Sequence, residues 1–399
     1  MSLGGMRLPG RIPLSGLPRL FRSLRPLRQE RGLQIQQRLR HLAVAILLGF
    51  SHASLGVDSQ RLTPAGDAAE PPFRWGLVAY HVDLPGYELT LSDIDRMADA
   101  GIRWLSIDLA WSRIQPDPQS PFDFAFFDLL VDAARQRGLA VVGKIGAGYN
   151  GNRPIAPAWT RNLDEADYLA ALEDYAEATT RHFADRIHSF AVENEFNIPN
   201  VHSLIGWRVG VWTPDFMNRV MQTLAHAVHT QAPGAELIIS VTPLAFFESG
   251  IERMNRLIDY DVVGIHTYPA GFVPDLALVD SIKGQIARAR QASGGRPILI
   301  LETGMHTEKP PWTETLQADY LEAVSQASRQ AGAIGIFFYQ YLDNRNEAGR
   351  ERYFGLVTSD RTPKAAWQRY RSLIAREVER DAGSAAQPAD RREASSSSR

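Results

Sequence analysis

Two glutamates carry the chemistry that this sequence can do. The first lies in Ala191-Val192-Glu193-Asn194-Glu195-Phe196-Asn197, directly after an apolar run from Ile187 to Val192. The second lies in Pro297-Ile298-Leu299-Ile300-Leu301-Glu302-Thr303-Gly304, again where an apolar run stops. Short apolar runs of this kind read as buried strands. Each carboxylate then stands at the C-terminal end of a buried strand. Two such groups facing one cleft can act as a pair: one protonates a leaving oxygen while the other attacks or stabilises an oxocarbenium-like carbon. The plainer reading of Glu302 is an exposed loop carboxylate or the partner of an arginine. Strand-end placement favours chemistry, because the C-terminal ends of barrel strands are where catalytic groups sit. Glu193 competes with Glu195 for the donor role. Two residues apart in an extended strand, both side chains point the same way. Glu193 reads better as a buried supporting carboxylate with a cationic or hydroxyl partner.

The elements that must position these groups repeat along the chain. Strands are predicted over 74–80, 103–109, 139–145, 187–193, 236–241, 261–266, 297–302 and 334–339. Amphipathic segments separate them. Phe216, Val220, Leu224 and Val228 recur every four residues, as do Tyr370, Ile374 and Val378 in the last helix after Trp367, so one face of each is buried. Ala100-Gly101, Arg137-Gly138, Pro233-Gly234 and Ala331-Gly332 each stop a helix just before the next strand. Glycine tolerates the left-handed position that ends a helix. Eight strands alternating with helices predict an α/β fold, a single (β/α)8 TIM barrel over residues 71–380. An open doubly wound sheet fits the strand count and the two glutamates less well. Gly146-Ala147-Gly148-Tyr149-Asn150-Gly151 matches a dinucleotide fingerprint, but that site needs a helix to begin there. Asn152-Arg153-Pro154 and Pro157 follow instead, so the segment reads as a long loop after strand three.

Composition narrows the function classes. The chain of 399 residues is 44% hydrophobic and 22% charged, as soluble globular proteins are. With no cysteine there is no disulfide framework, thiolate zinc site or thiol nucleophile. No His-Glu-x-x-His or EF-hand loop occurs, so neither a metal nor another cofactor is expected. The first 50 residues hold nine arginines and one acidic residue, Glu30; Leu42–Phe50 is apolar and Ser51-His52-Ala53 follows. This is the layout of a secretory signal peptide with a long basic leader, assigned to 1–53, and it predicts export to the periplasm or the extracellular space. An uncleaved leader acting as a membrane anchor and an organelle presequence are the alternatives. Residues 54–70 read as a linker and 381–399 as a disordered tail. Without residues 1–50 the chain carries 34 basic and 44 acidic side chains, near −10. Such a surface does not attract nucleic acid or anionic membrane.

Asn194-Glu195 after strand four and Glu302 after strand seven resemble clan A of the glycoside hydrolases. The likeness spans roughly residues 74–375 and is nearest to families 39 and 5. It implies a retaining enzyme with Glu195 as acid/base and Glu302 as nucleophile. It implies that Asn194 bonds the sugar 2-hydroxyl, a contact that strengthens in the transition state. Val262-Val263-Gly264-Ile265-His266-Thr267-Tyr268-Pro269 resembles the clan segment whose histidine lines the site and whose tyrosine bonds the nucleophile. A packed tyrosine and a satisfied core histidine are the plainer alternatives. Strand two, Trp104 to Pro116, fits the family rhythm but has Ser106 where an arginine usually supports the nucleophile. Strand eight has Phe338 where a tryptophan commonly floors the first sugar.

Aromatic faces stack on sugar rings. The predicted strand ends offer Tyr80, Trp111, Tyr149, Phe196, Tyr268, Trp312, Tyr339 and Tyr341. Asn150, Asn197, Gln340 and Asp343 offer polar groups to hydroxyls. The expected substrate-binding set is Asn194, His266, Tyr268, Asn150, Tyr149, Trp111, Tyr339 and Asn197. The expected activity is hydrolysis of β-glycosidic bonds in a poly- or oligosaccharide, from plant wall or the cell's own exopolysaccharide. A non-hydrolytic sugar-binding protein on a degenerate barrel is the alternative, supported by Ser106 and Phe338. A barrel lyase or aldolase needs a Schiff-base lysine, and Lys144 alone is placed for one.

Overall fold

The computed structural model describes residues 72–80, 88–150, 153–199, 204 and 206–385. The basic leader and the linker lie outside the described residues. Eight parallel strands close on themselves: β1 (Arg74–Ala79), β2 (Trp104–Asp108), β3 (Ala140–Ile145), β4 (Ser189–Val192), β5 (Glu236–Val241), β6 (Val262–His266), β7 (Ile298–Thr303) and β8 (Gly335–Tyr339), with β8 pairing β1. The helices that follow them are α1 (Leu91–Asp99), α2 (Ala125–Gln136), α3 (Glu165–Phe183), α4 (Pro214–Gln231), α5 (Phe247–Leu257), α6 (Ser281–Ala292), α7 (Glu314–Gln330) and α8 (Ala365–Ala385). This is the expected (β/α)8 barrel. The last helix runs five residues past the predicted domain end, into the stretch read as tail.

Parallel strands covered on both sides are apolar on both faces. Leu77 packs outward under the helices while Val78 points into the barrel, and both are fully buried. Val78, Val142, Ala191, Ile238, Leu299, Leu301 and Phe337 fill the interior. The lower end is closed by a bidentate pair: Arg74 donates to both Glu236 oxygens at 2.7 and 2.9 Å, and Ser189 adds a hydroxyl at 2.8 Å. A fork-to-fork pair fixes geometry as well as charge. The start of β1 is thereby tied across the barrel to the start of β5.

The upper end is left for chemistry, and its loops are pinned by polar contacts. Thr90 and Asp93 form a reciprocal cap on α1. The buried Asp93 also takes Arg361 at 3.0 Å and the Tyr341 hydroxyl at 2.9 Å. The loop after β8 is thus fastened to α1, across the seam where the barrel closes. Gly304 follows β7, and a Cβ there would collide with the Tyr339 carbonyl oxygen. Glycine allows the ends of β7 and β8 to approach.

Candidate active site

The predicted pair of glutamates comes together. Glu302 ends β7, and Tyr268, two residues beyond β6, donates its hydroxyl to Glu302 Oε1. His266, the last residue of β6, is fully buried between the two carboxylates. Its Nδ1 lies 3.3 Å from Glu302 Oε2 and 3.7 Å from Glu195 Oε1. Sharing one nitrogen, those two oxygens are separated by no more than the sum of 3.3 and 3.7 Å. A hydrogen-bonded relay fixes the ring. The Glu195 N–H donates to Ser240 Oγ at 3.2 Å, and Ser240 Oγ lies 2.9 Å from His266 Nε2. Ser240 Oγ thus ties the Glu195 backbone to the imidazole, and Nδ1 is the ring nitrogen that faces the carboxylates. Burial, and then the charge of Glu302, raise the Tyr268 phenol well above its ordinary value, so it stays protonated as a donor.

The chain end of β4 is not extended. Glu193 and Glu195 both take left-handed backbone conformations, with φ of 55° and 49°. This corrects the expectation that the two side chains point the same way. Non-glycine residues in this region are strained and persist where surroundings hold them. Glu193 turns to the loop after β3, where it accepts the Ala147 N–H at 2.8 Å. It is fully buried, and that burial lifts its carboxyl to about 7 against the lowering effects of the Ala147 N–H and Lys144. Glu195, with a side chain 22% exposed, is the one that reaches the cleft. Asn194 lies between them, 7% exposed, and its Oδ1 accepts from Lys144 Nζ at 3.0 Å.

Tyr339 ends β8 and packs in the interior with Tyr80, Tyr268 and Phe354, at ring separations of 6.3, 6.4 and 5.4 Å. Phe338 instead faces outward and packs against Tyr370 of α8 at 5.1 Å. Phe338 therefore does not face the barrel interior, and its neighbour Tyr339 does. A strand apolar on both faces gives no parity signal, and a one-residue shift moves every side chain to the other face.

Two residues of the expected substrate set are buried structural groups. Trp111 is fully buried outside the barrel, stacked on Tyr175 at 5.2 Å with its indole N–H on Gln115 at 3.1 Å. Asn197 is also fully buried. It donates to the Thr242 and Ala245 carbonyls, each at 2.9 Å, and accepts the Thr242 N–H at 3.0 Å. It clamps the loop after β5 to the segment that carries Glu195. Of the other offered groups, Tyr341 bonds Asp93 and Asp343 is held by Lys364 at 2.7 Å. Phe196 is fully buried, Gln340 is buried, and Trp312 packs on His306 at 4.7 Å. Tyr149–Asn150 pairs with Arg153–Pro154 in a small ribbon, so the fingerprint-like segment is a loop with no helix at its start. The side chains of Tyr149 and Asn150 lie outside the described residues.

Sequence reasoning missed Ser240, and it weighed Lys144 for the wrong chemistry. Both carry a signal: a polar residue after an apolar run, near the strand's C-terminal end. Among the described residues, one group has metal-ligand spacing: Glu173, Glu177 and His226, on α3 and α4 outside the barrel.

A model of the glycoside hydrolase family 42 β-galactosidases matches residues 80–202, just under a third of the chain. The coniferin β-glucosidase of Pinus contorta is 27% identical over 142 residues, which cover 32% of this chain and 25% of that protein. Among solved structures, a family 5, subfamily 18 glycoside hydrolase from Streptomyces cattleya in complex with GlcNAc superposes with a TM-score of 0.64. It is 20% identical over 77% of this chain and 81% of its own. A β-glucosidase from Thermotoga maritima gives 0.60 at 15% identity, over 76% and 98%. An exo-β-1,4-mannosidase from Opitutaceae bacterium strain TAV5 gives 0.61 at 19%, over 77% and 60%. The chain thus spans a quarter of the curated relative and three-fifths of the mannosidase. The closed barrel, the Asn-Glu pair after β4 and the glutamate ending β7 are the features in which this (β/α)8 barrel is similar to the clan A glycoside hydrolases. The family 42 match runs from the end of β1 through β4 and the Asn-Glu segment; the structural neighbours match the barrel as a fold.

Proposed function

We propose that the chain hydrolyses β-glycosidic bonds with retention, Glu302 acting as nucleophile and Glu195 as acid/base. The observation that carries this reading is His266 Nδ1 lying 3.3 Å from Glu302 and 3.7 Å from Glu195, which brings both carboxylates to one place with their nearest oxygens no farther apart than the sum of the two, a bound that admits the retaining spacing and only the shortest inverting ones. Retaining enzymes need about 5–5.5 Å between carboxyl groups, and inverting enzymes need about 6.5–9.5 Å to admit a water. In the first step the anomeric carbon forms a bond to Glu302 as its bond to the leaving oxygen breaks. The proton of Glu195 goes to that oxygen. In the second step Glu195 takes a proton from water, the water oxygen bonds the anomeric carbon, and the ester to Glu302 breaks. Tyr268 donates to Glu302 Oε1 and so holds the nucleophile in place. Asn194 offers its carboxamide to the 2-hydroxyl, and Tyr339 lines the bound ring.

The substrate in this reading is a poly- or oligosaccharide. The β-galactosidase family match and the β-glucosidase and β-mannosidase neighbours support a neutral β-linked sugar. Glu302→Gln should abolish turnover while leaving the melting temperature intact. Glu195→Gln should spare dinitrophenyl glycosides, whose leaving group barely needs a proton. A Glu302→Gln variant keeping more than about a tenth of wild-type rate contradicts a missing nucleophile. We also propose export. N-terminal sequencing of protein from its native host should begin beyond the leader; Met1 or Ser2 intact on most molecules would overturn this.

A further inference from the structure

We propose that Lys144 is a positioning residue of this site, fixing from β3 the direction of the Asn194 carboxamide. The proposal rests on the glycosidase reading above.

Lysine is among the residues least often fully buried, and burying its charge costs several kcal/mol unless partners offset it. Lys144 is 2% exposed and has three partners. Its Nζ lies 3.0 Å from Asn194 Oδ1, 3.2 Å from Asp108 Oδ1, and 3.5 Å from the centre of the Tyr80 ring. The sheet register explains the convergence. Asp108 and Lys144 are direct neighbours across β2 and β3, and Ser106 pairs with Val142 one layer below.

The contact decides which way Asn194 faces. Its oxygen is committed to an ammonium that has only donors. Flipping the carboxamide would set two donors against each other. The amide N–H2 is thus the end turned away from Lys144, a donor aimed at a sugar oxygen. A charge-assisted bond to Oδ1 also polarises the amide and strengthens its donation. Asp108, Glu193, Glu195 and Glu302 lie around this site. Lys144 balances the two deepest and leaves the catalytic pair to His266 and Tyr268.

The test compares wild type, Lys144→Met, Asn194→Ala and the double variant on a 4-nitrophenyl β-glycoside and on its 2-deoxy analogue. The sugar is chosen from the glucoside, galactoside, mannoside and xyloside by wild-type activity. Losing a charge-assisted hydrogen bond should lower kcat/KM on the parent glycoside about 10- to 100-fold in Lys144→Met. On the 2-deoxy substrate, which has no hydroxyl for Asn194, the loss should shrink to within about threefold. The double variant should be no worse than Asn194→Ala, because the two residues act as one unit. An equal loss on both substrates, or additive losses in the double variant, overturns the proposal. Should Lys144→Met fail to give a cooperative melt, the same ratio is read on Lys144→Gln, and a wild-type ratio there overturns it. An active wild type with an unaffected Lys144→Met defeats this inference alone. A wild type inactive on all four glycosides defeats the glycosidase reading itself.

Discussion

Replacing Glu193 by glutamine should remove a pH dependence of stability that the wild type carries between pH 4.5 and 7. Glu193 is sealed under the loop after β3, and burial raises its carboxyl to about 7 from an ordinary 4.5. In that window the folded chain holds a proton that the unfolded chain has released. Stability then falls as pH rises, by at most about 1.4 kcal/mol per pH unit. Over the window the loss amounts to about 3 kcal/mol, and above pH 7 it is complete. Glutamine keeps an oxygen for the Ala147 N–H at the same length and has no charge to desolvate. The variant should therefore gain on the wild type as pH rises from 5 to 8. His306 works in the opposite sense. Burial and Arg350 depress it to about 4, so its contribution grows as pH rises from 4 to 6.5. That term is common to both proteins and cancels in the difference. Urea unfolding of both proteins at several pH values from 5 to 8 measures it. A difference constant to within about 0.5 kcal/mol across that range would refute the argument, since extrapolated free energies carry about that error.

Trp111→Ala separates packing from recognition at the residue where the sequence reading and the structure disagree. Truncating so buried an aromatic should cost about 3–5 kcal/mol of stability. KM for an aryl glycoside, measured where the variant is folded, should stay within about twofold, since no ligand contact is lost. A large rise in KM with little loss of stability would return Trp111 to the substrate set.

The strand count, the strand ends and the two glutamates could be read from the sequence because each has a local signature. An apolar run ends and a carboxylate follows, at Glu195 and at Glu302. The same two-sided burial that makes barrel strands easy to find hides which face each residue takes. Phe338 and Tyr339 differ by one position, and only closure of the barrel decides which faces the interior. Trp111 and Asn197 sit just past strand ends, where aromatic and amide groups suit either a ligand or a clamp. Trp111 is claimed by Tyr175 on α3, and Asn197 by the loop after β5; neither partner is near in sequence. The left-handed turns at Glu193 and Glu195 break the alternation that a strand-based reading extends through them. The link from Lys144 to Asn194 spans 50 positions and depends on β3 lying beside β4.

The central claim is that Glu302 forms a covalent bond with the sugar. Incubation with a 2,4-dinitrophenyl 2-deoxy-2-fluoro-β-glycoside should trap that intermediate, because the fluorine slows both oxocarbenium-like steps while the dinitrophenolate leaving group keeps formation faster than hydrolysis. Intact-mass measurement should then show one added fluorosugar per chain, and peptide sequencing should locate it on Glu302 within Leu301-Glu302-Thr303. A label on Glu195 or Glu193, or an active enzyme that releases dinitrophenol without ever carrying the sugar, would contradict it.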